Sequence, residues 1–396
     1  MRYNFDEPID RRGTYSRKWS LEGMYEMADY ADEKSIPMWV ADMDFKAPNI
    51  VTEKLLERVK HAVFGYSMDD LNYFQAINYW NSKRRGFQLE KDWLLTLNGV
   101  VTALNLAVRS LTLPGEGIII QTPVYPQFRH CILNNARTLV DNRLLDIDGT
   151  YHINFPELEE LAKNPKNTLM IICNPHNPVG RVWTEEELKK ISDICADNGV
   201  TLISDEIHSD LILFQNRFTS LGTLGEKALK NTIICTSMSK SFNLAALKTA
   251  HIVIPDSSKR DKMVSELLTW GEKPFPNLFG IVATEAAYSP EGEEWLNQLI
   301  EYLEKNYLFM KEFLKKNLPA VELRELQSTY LAWIDLRGLN FPEEIIKHKL
   351  EKEAKVVIDG GEIFGDSGKG FIRLNFACPR ALLQESLERI ASALKN

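Results

Sequence analysis

The chain has 396 residues, with 47 basic against 55 acidic side chains and a net charge of −8. That length supports two or three domains with a substantial buried core. Apolar residues at 44% and charged residues at 26% exclude a disordered or fibrous chain, and the acidic balance excludes a general attraction to nucleic acid or anionic lipid.

The first residues, Met1 to Pro8, lack an apolar signal core, so no export is expected. No run approaches the ~20 apolar residues that span a bilayer. Lys83-Arg84-Arg85 is expected to be a solvated basic helix end. The five cysteines, Cys131, Cys173, Cys195, Cys235 and Cys378, form no close pair. They read as small buried side chains in a reducing cytoplasm.

From about residue 92 to 255, short β-type runs alternate with helical patterns. The runs are Trp93–Leu97, Gly117–Gln121, Thr168–Cys173, Val200–Ser204 and Thr232–Thr236. They are nearly continuous in apolar character, as strands buried on both faces are. A helix is expected from Glu185 to Asn198, opened by a Thr184/Glu187 capping box and ended by Gly199. Repeated strand–helix–strand units imply a mostly parallel sheet flanked by helices. After about residue 285 the pattern changes to a long helix near Gly292–Asn317, strands at Tyr330–Asp335 and Gly370–Phe376, and a last helix over Arg380–Leu394. The expected fold is α/β, a large domain over 46–285 with a smaller α+β domain built from 1–45 and 286–396.

In an open α/β sheet, ligands bind beyond the carboxyl ends of the strands. The residues there are polar and varied. Asn98-Gly99-Val100-Val101 opens a helix whose free N–H groups suit a phosphate, or is a plain connecting turn. Tyr125 stands between two prolines, as a stacking platform or as packing. Asn177, in Asn174-Pro175-His176-Asn177-Pro178, is an exposed donor or a turn residue. Asp205 closes a buried strand and needs a cationic partner, from protein or ligand. Lys240, in Ser237-Met238-Ser239-Lys240-Ser241, is a surface lysine or a Schiff-base amine.

Their succession along one sheet resembles the fold type I pyridoxal-phosphate enzymes, the aspartate aminotransferase superfamily. The resemblance covers nearly the whole chain. Four segments narrow it to the cystathionine β-lyase/cystalysin branch of C–S lyases: Pro37-Met38-Trp39-Val40-Ala41-Asp42-Met43-Asp44-Phe45, Asn174–Pro178, Asp205-Glu206-Ile207-His208-Ser209-Asp210, and Ser239-Lys240-Ser241-Phe242-Asn243-Leu244-Ala245. Ala246 departs from the branch, which usually carries glycine there.

The resemblance implies pyridoxal 5′-phosphate joined to Lys240, whose freed amine takes the substrate α-proton. It places Asp205 at the pyridine nitrogen, Asn177 with His208 at the ring hydroxyl, and Tyr125 on the ring face. It assigns the phosphate to Val100, Val101, Ser237 and Lys248. Arg373 would grip the substrate carboxylate as a fork, and Tyr66 would reach a neighbour's phosphate in a homodimer. The implied reaction is α,β-elimination from cystathionine, cysteine or related S-conjugates, giving a thiol, pyruvate and ammonia. An aminotransferase shares the first steps, and a regulatory binding protein on the same scaffold remains open.

Overall fold

A computed structural model describes residues 3–395. Met1 and Arg2, the start of the segment read above for an export signal, lie outside the described residues. A seven-stranded sheet runs in the order Leu94–Leu97, Ala250–Val253, Thr232–Thr236, Thr201–Asp205, Asn167–Cys173, Gly117–Ile120, Thr138–Asp141. Ala250–Val253 is antiparallel to both its neighbours, and every other pairing is parallel.

The continuous apolar runs are explained by two cores, one on each face. Ile118, Ile120, Leu169, Ile171 and Ile203 pack on one side with Leu104 and Val108 of the Val100–Leu111 helix. Ile119, Met170, Ile172 and Leu202 pack on the other with Leu188, Ile191 and Cys195 of the Glu185–Asp197 helix. Successive strand residues point to opposite faces, so each strand needs an apolar residue at every position. Full burial of each such side chain stabilises the fold by roughly 2 kcal/mol. The capping box is present: Thr184 Oγ1 accepts from Glu187 N at 3.1 Å and Glu187 Oε2 from Thr184 N at 2.8 Å.

Two strands of the seven-stranded sheet are not among the runs expected from the sequence. Thr138–Asp141 is a partly exposed edge strand ending in an acid. Ala250–Val253 carries His251, buried between Tyr73 and Tyr288 at 5.9 and 5.7 Å. Neither presents the uninterrupted apolar run that marks the others.

The basic run corrects the solvated-surface expectation. Lys83 is exposed and pairs with Glu293. Arg85 is buried, its Nη2 3.3 Å from Asp210 Oδ2, and its Nε donates to Ser209 Oγ at 3.1 Å. All five cysteines are buried and free. Among the described residues no helix is long and apolar enough to cross a membrane.

The C-terminal part holds a four-stranded antiparallel sheet in the order Glu322–Leu323, Leu331–Asp335, Phe371–Asn375, Asp359–Gly360. The helices Pro290–Asn317 and Arg380–Lys395 pack together beside it. Ile36-Pro37 pairs in parallel with Val356-Val357, which ties the N-terminal segment to this part. Register places Arg373 opposite Asp359 and Trp333. Directly opposite residues share a face of the sheet, so this pairing fixes the carboxylate beside the guanidinium.

Candidate active site

The cleft is framed by the carboxyl ends of the central strands. Asp205 ends Thr201–Asp205 and is 4% exposed. Ile207 N donates to its Oδ1 at 3.2 Å. Burial raises its pKa to about 7, while the Lys240 charge pulls the other way. Lys240 lies on the short helix Met238–Ser241, capped by Ser237 directly after the Thr232–Thr236 strand. Its Nζ donates to Ala41 O at 2.7 Å. Burial lowers its pKa to about 8; Asp42 and Asp205 oppose this, and Arg373 and Lys248 add to it.

That shift has a direct consequence for the cofactor-free protein. Lys240 should acylate with a midpoint near pH 8, well below the ordinary lysine value of 10.5. Peptide mapping after brief acetylation across the pH range measures this, and a midpoint near 10.5 would contradict it. Between those two values the unfolded chain holds a proton that the folded chain has lost. This group alone therefore makes the cofactor-free fold more stable as pH rises through that window.

Arg373 is buried and multiply held. Its Nε donates to Asp359 Oδ2 at 3.0 Å, its Nη1 to Asn177 Oδ1 at 3.0 Å and its Nη2 to Trp39 O at 3.3 Å. Its guanidinium carbon lies 4.8 Å from the centre of the Phe364 ring. With Asn177 Oδ1 occupied, the Asn177 amide nitrogen is left as the donor. His208 is buried, its Nδ1 has no partner among the described residues, and burial lowers its pKa to about 3. It is therefore a neutral imidazole at any ordinary pH. Tyr125 sits at the start of the Pro126–Leu133 helix. Burial raises its pKa, with Arg373 lowering it and Asp205 raising it further.

At the other end, Gly99 caps the Val100–Leu111 helix with φ +112° and no side-chain cap. Only glycine takes that backbone without strain, and it leaves the first-turn N–H groups of Val100 and Val101 at the positive end of the helix. Ser237 is 1% exposed; its Oγ donates to Thr249 O at 2.7 Å and accepts from Ser239 N at 3.0 Å. Ser239 is the more open hydroxyl of the two. Lys248 is exposed, in the left-handed region at φ +48°, and its charge bears on Lys240.

The structure thus gathers Lys240, Asp205, Asn177, His208, Tyr125 and Arg373, with Ser237 and Lys248 beside them and Val100 and Val101 at the helix start. Tyr66 is not among them within one chain; it is fully exposed at 110%. Tyr330, Asp359 and the carbonyls of Trp39 and Ala41 were not read as site groups. Tyr330 Oη donates to the same Ala41 O as Lys240, at 2.8 Å. Carbonyls carry no sequence signal, and Asp359 is marked only by strand register. A cavity of about 420 Å³ lies elsewhere, lined by Leu336, Ile346, Leu350, Val356 and Phe371 among others, and none of the gathered residues borders it.

A buried carboxylate, an amine whose charged form burial disfavours, an unpartnered imidazole nitrogen and an open helix start fit the cofactor that the resemblance implies, with its protonatable ring nitrogen, aldehyde carbon, ring hydroxyl and phosphate. No cluster among the described residues could hold a metal ion.

Comparison with known proteins agrees with this geometry. Cystathionine β-lyase PatB of Bacillus subtilis (strain 168) is 41% identical over 391 residues, covering 99% of this chain and 100% of its own. The crystal structure of cystalysin from Treponema denticola, which contains a pyridoxal 5′-phosphate cofactor, superposes with a TM-score of 0.95 at 37% identity, covering 100% of this chain and 99% of that one. The PLP-bound C–S lyase from Staphylococcus hominis gives 0.92 at 34% identity, with 100% and 99% covered. The aminotransferase class I and II family matches residues 68–390, a span that takes in every strand end around Lys240 as well as Arg373. The chain belongs to the aminotransferase class I and II family.

Proposed function

We propose that the protein is a pyridoxal-phosphate-dependent carbon–sulfur β-lyase, acting on S-substituted cysteines such as cystathionine. The observation that carries the reading is Lys240, its Nζ held on Ala41 O with a pKa lowered to about 8, just past the end of one strand, and the buried carboxylate of Asp205 at the end of the adjacent one. The likeness to PatB, cystalysin and the S. hominis lyase supports the reaction class.

Lys240 would hold the cofactor, Asp205 its ring nitrogen, and the Asn177 amide with His208 its ring hydroxyl. Tyr125 would flank the ring, while Val100, Val101, Ser237 and Lys248 would serve the phosphate. Pyridoxal phosphate, when bound, supplies an electron sink for the pair left at the substrate α-carbon. Arg373 orients the substrate by its carboxylate, and Asp359 and Phe364 keep the guanidinium in place. Lys240 Nζ, whose ammonium form burial disfavours, takes the α-proton. The C–S bond then breaks with its electron pair on sulfur, and the ammonium of Lys240 returns the proton to the departing thiolate. The remaining 2-aminoacrylate is released and hydrolyses in water to pyruvate and ammonia.

The same reading takes the protein as a cytoplasmic homodimer. The exposed Tyr66, with Val63, Phe64 and Met68 also exposed in its segment, supports a neighbour at that face. The five unpaired cysteines fit a reducing compartment. The cofactor body is assigned to 46–285, and the smaller body to 1–45 with 286–396; the Ile36-Pro37 to Val356-Val357 pairing supports joining the two outer segments.

Incubating the holoenzyme with cystathionine and no keto acid is expected to yield pyruvate, ammonia and thiol in equal amounts. No pyruvate, together with amino transfer to an added keto acid, would overturn the lyase reading in favour of an aminotransferase.

A further inference from the structure

The group that holds the free amine of Lys240 is uncharged. Ala41 O takes one hydrogen bond from Lys240 Nζ at 2.7 Å and a second from Tyr330 Oη at 2.8 Å. The carbonyls on either side are fixed as well: Asn375 Nδ2 donates to Val40 O at 2.5 Å and to Asp42 O at 2.6 Å. A carbonyl oxygen accepts from an amine and from an ammonium alike, so it orients Nζ without holding the catalytic proton there.

The next residue works against this arrangement. The Asp42 side chain springs from the peptide unit whose oxygen seats Nζ. Burial lowers the pKa of Lys240, and of the charges that oppose burial Asp42 comes before Asp205. Burial raises the pKa of Tyr330, the other donor to that oxygen, and Asp42 raises it further. A carboxylate free to approach would pair with Lys240 and keep it an ammonium. The N-terminal arm removes that freedom. Arg11 grips Asp42 as a fork, Nη1 to Oδ1 at 2.9 Å and Nη2 to Oδ2 at 2.8 Å. Both side chains are largely covered, at 19% exposed. Asp44, which Arg11 also reaches, has a buried cation of its own in Lys18 at 2.7 Å, whereas Lys18 stands 3.9 Å from Asp42. Arg11 is thus the cation in direct contact with Asp42.

We propose that Arg11 is a positioning residue for the base: by holding the Asp42 carboxylate, it keeps Lys240 seated on the neutral Ala41 carbonyl rather than in an ion pair. The inference rests on the lyase reading, in which that amine takes the α-proton and an ion pair would withhold it.

Brief acetylation of the cofactor-free full-length protein, mapped to the peptide carrying Lys240, tests this without turnover. Arg11→Gln should raise the midpoint by about half a pH unit over wild type, which is about threefold less acylation at a fixed pH below it. Arg11→Lys, which keeps the charge, should stay near wild type. An arm merely loosened by the replacement would also wet Lys240 and raise the midpoint, so the double variant decides. Arg11→Gln with Asp42→Asn should return to the wild-type midpoint or below, because the charge that Arg11 restrains is gone. Arg373, Asp205 and Lys248, the other charges acting on this amine, are unchanged in all of these proteins. A midpoint unmoved in Arg11→Gln, or raised equally in the double variant, overturns the proposal. Either result alongside pyruvate formation by the wild-type holoenzyme sinks the role of Arg11 alone, whereas absence of pyruvate sinks the lyase reading.

Discussion

Lys240→Ala is expected to lose the covalently held cofactor and at least about 10³-fold in turnover, because in the proposed mechanism the nucleophile that anchors the cofactor and the base that moves the α-proton are one atom. Lys240 Nζ makes its hydrogen bond to Ala41 O, and Tyr330 continues to hold that carbonyl in the variant. The fold should therefore survive, and the loss belongs to chemistry. Borohydride reduction of the wild-type holoenzyme, followed by peptide mass mapping, should place the cofactor mass on the peptide carrying Lys240. A tag on Lys248, the other lysine bearing on this site, with activity kept in Lys240→Ala, would remove the assignment altogether.

The second large effect is at Asp205. Asp205→Asn keeps the shape and an oxygen for the Ile207 N–H, but removes the charge. A carboxylate ~3–4 Å from a ring cation, at an effective dielectric near 20, is worth on the order of 4 kcal/mol before desolvation. Felt only as charge builds at the α-carbon, that is about three decades in rate. Turnover should fall by that order while cofactor content per chain, measured after desalting, stays close to wild type. The reason is that, in the proposed site, attachment depends on Lys240 and the phosphate end rather than on the acid. Burial is the main reason that the pKa of Asp205 is raised to about 7 in the cofactor-free chain, against the Ile207 N–H and the Lys240 charge. A cation at its mouth returns it to the carboxylate form. Loss of cofactor with unchanged turnover per bound cofactor would assign Asp205 to binding instead.

Much of this site was legible as residue types at strand ends. A buried strand has to end, and the polar residue after it must go somewhere wet or to a partner. Asn177, Asp205 and Lys240 each follow an apolar run that the fold buries on two faces. The Gly99 turn before an amphipathic helix was likewise visible, since glycine there answers to a backbone at φ +112°. Local sequence did not tell a buried ion pair from a solvated charge run. Lys83, Arg84 and Arg85 look alike as letters, yet Lys83 stays exposed, Arg84 is half-buried and Arg85 is buried against Asp210, 125 positions away. Edge and antiparallel strands were missed for a related reason: their partners, not their own hydropathy, decide them.

By itself the sequence determined which segments become doubly buried strands, where the helices start, and which chemical groups stand at the strand mouths, because apolar periodicity and capping act over a few residues. Only the tertiary structure decided what those groups face. The carbonyl of Ala41 meets the amine of Lys240, and Asp359 meets Arg373 through strand register. Burial and proximity over hundreds of residues set the pKa values of Lys240 and Asp205, and these are properties of the packed chain rather than of any stretch of it.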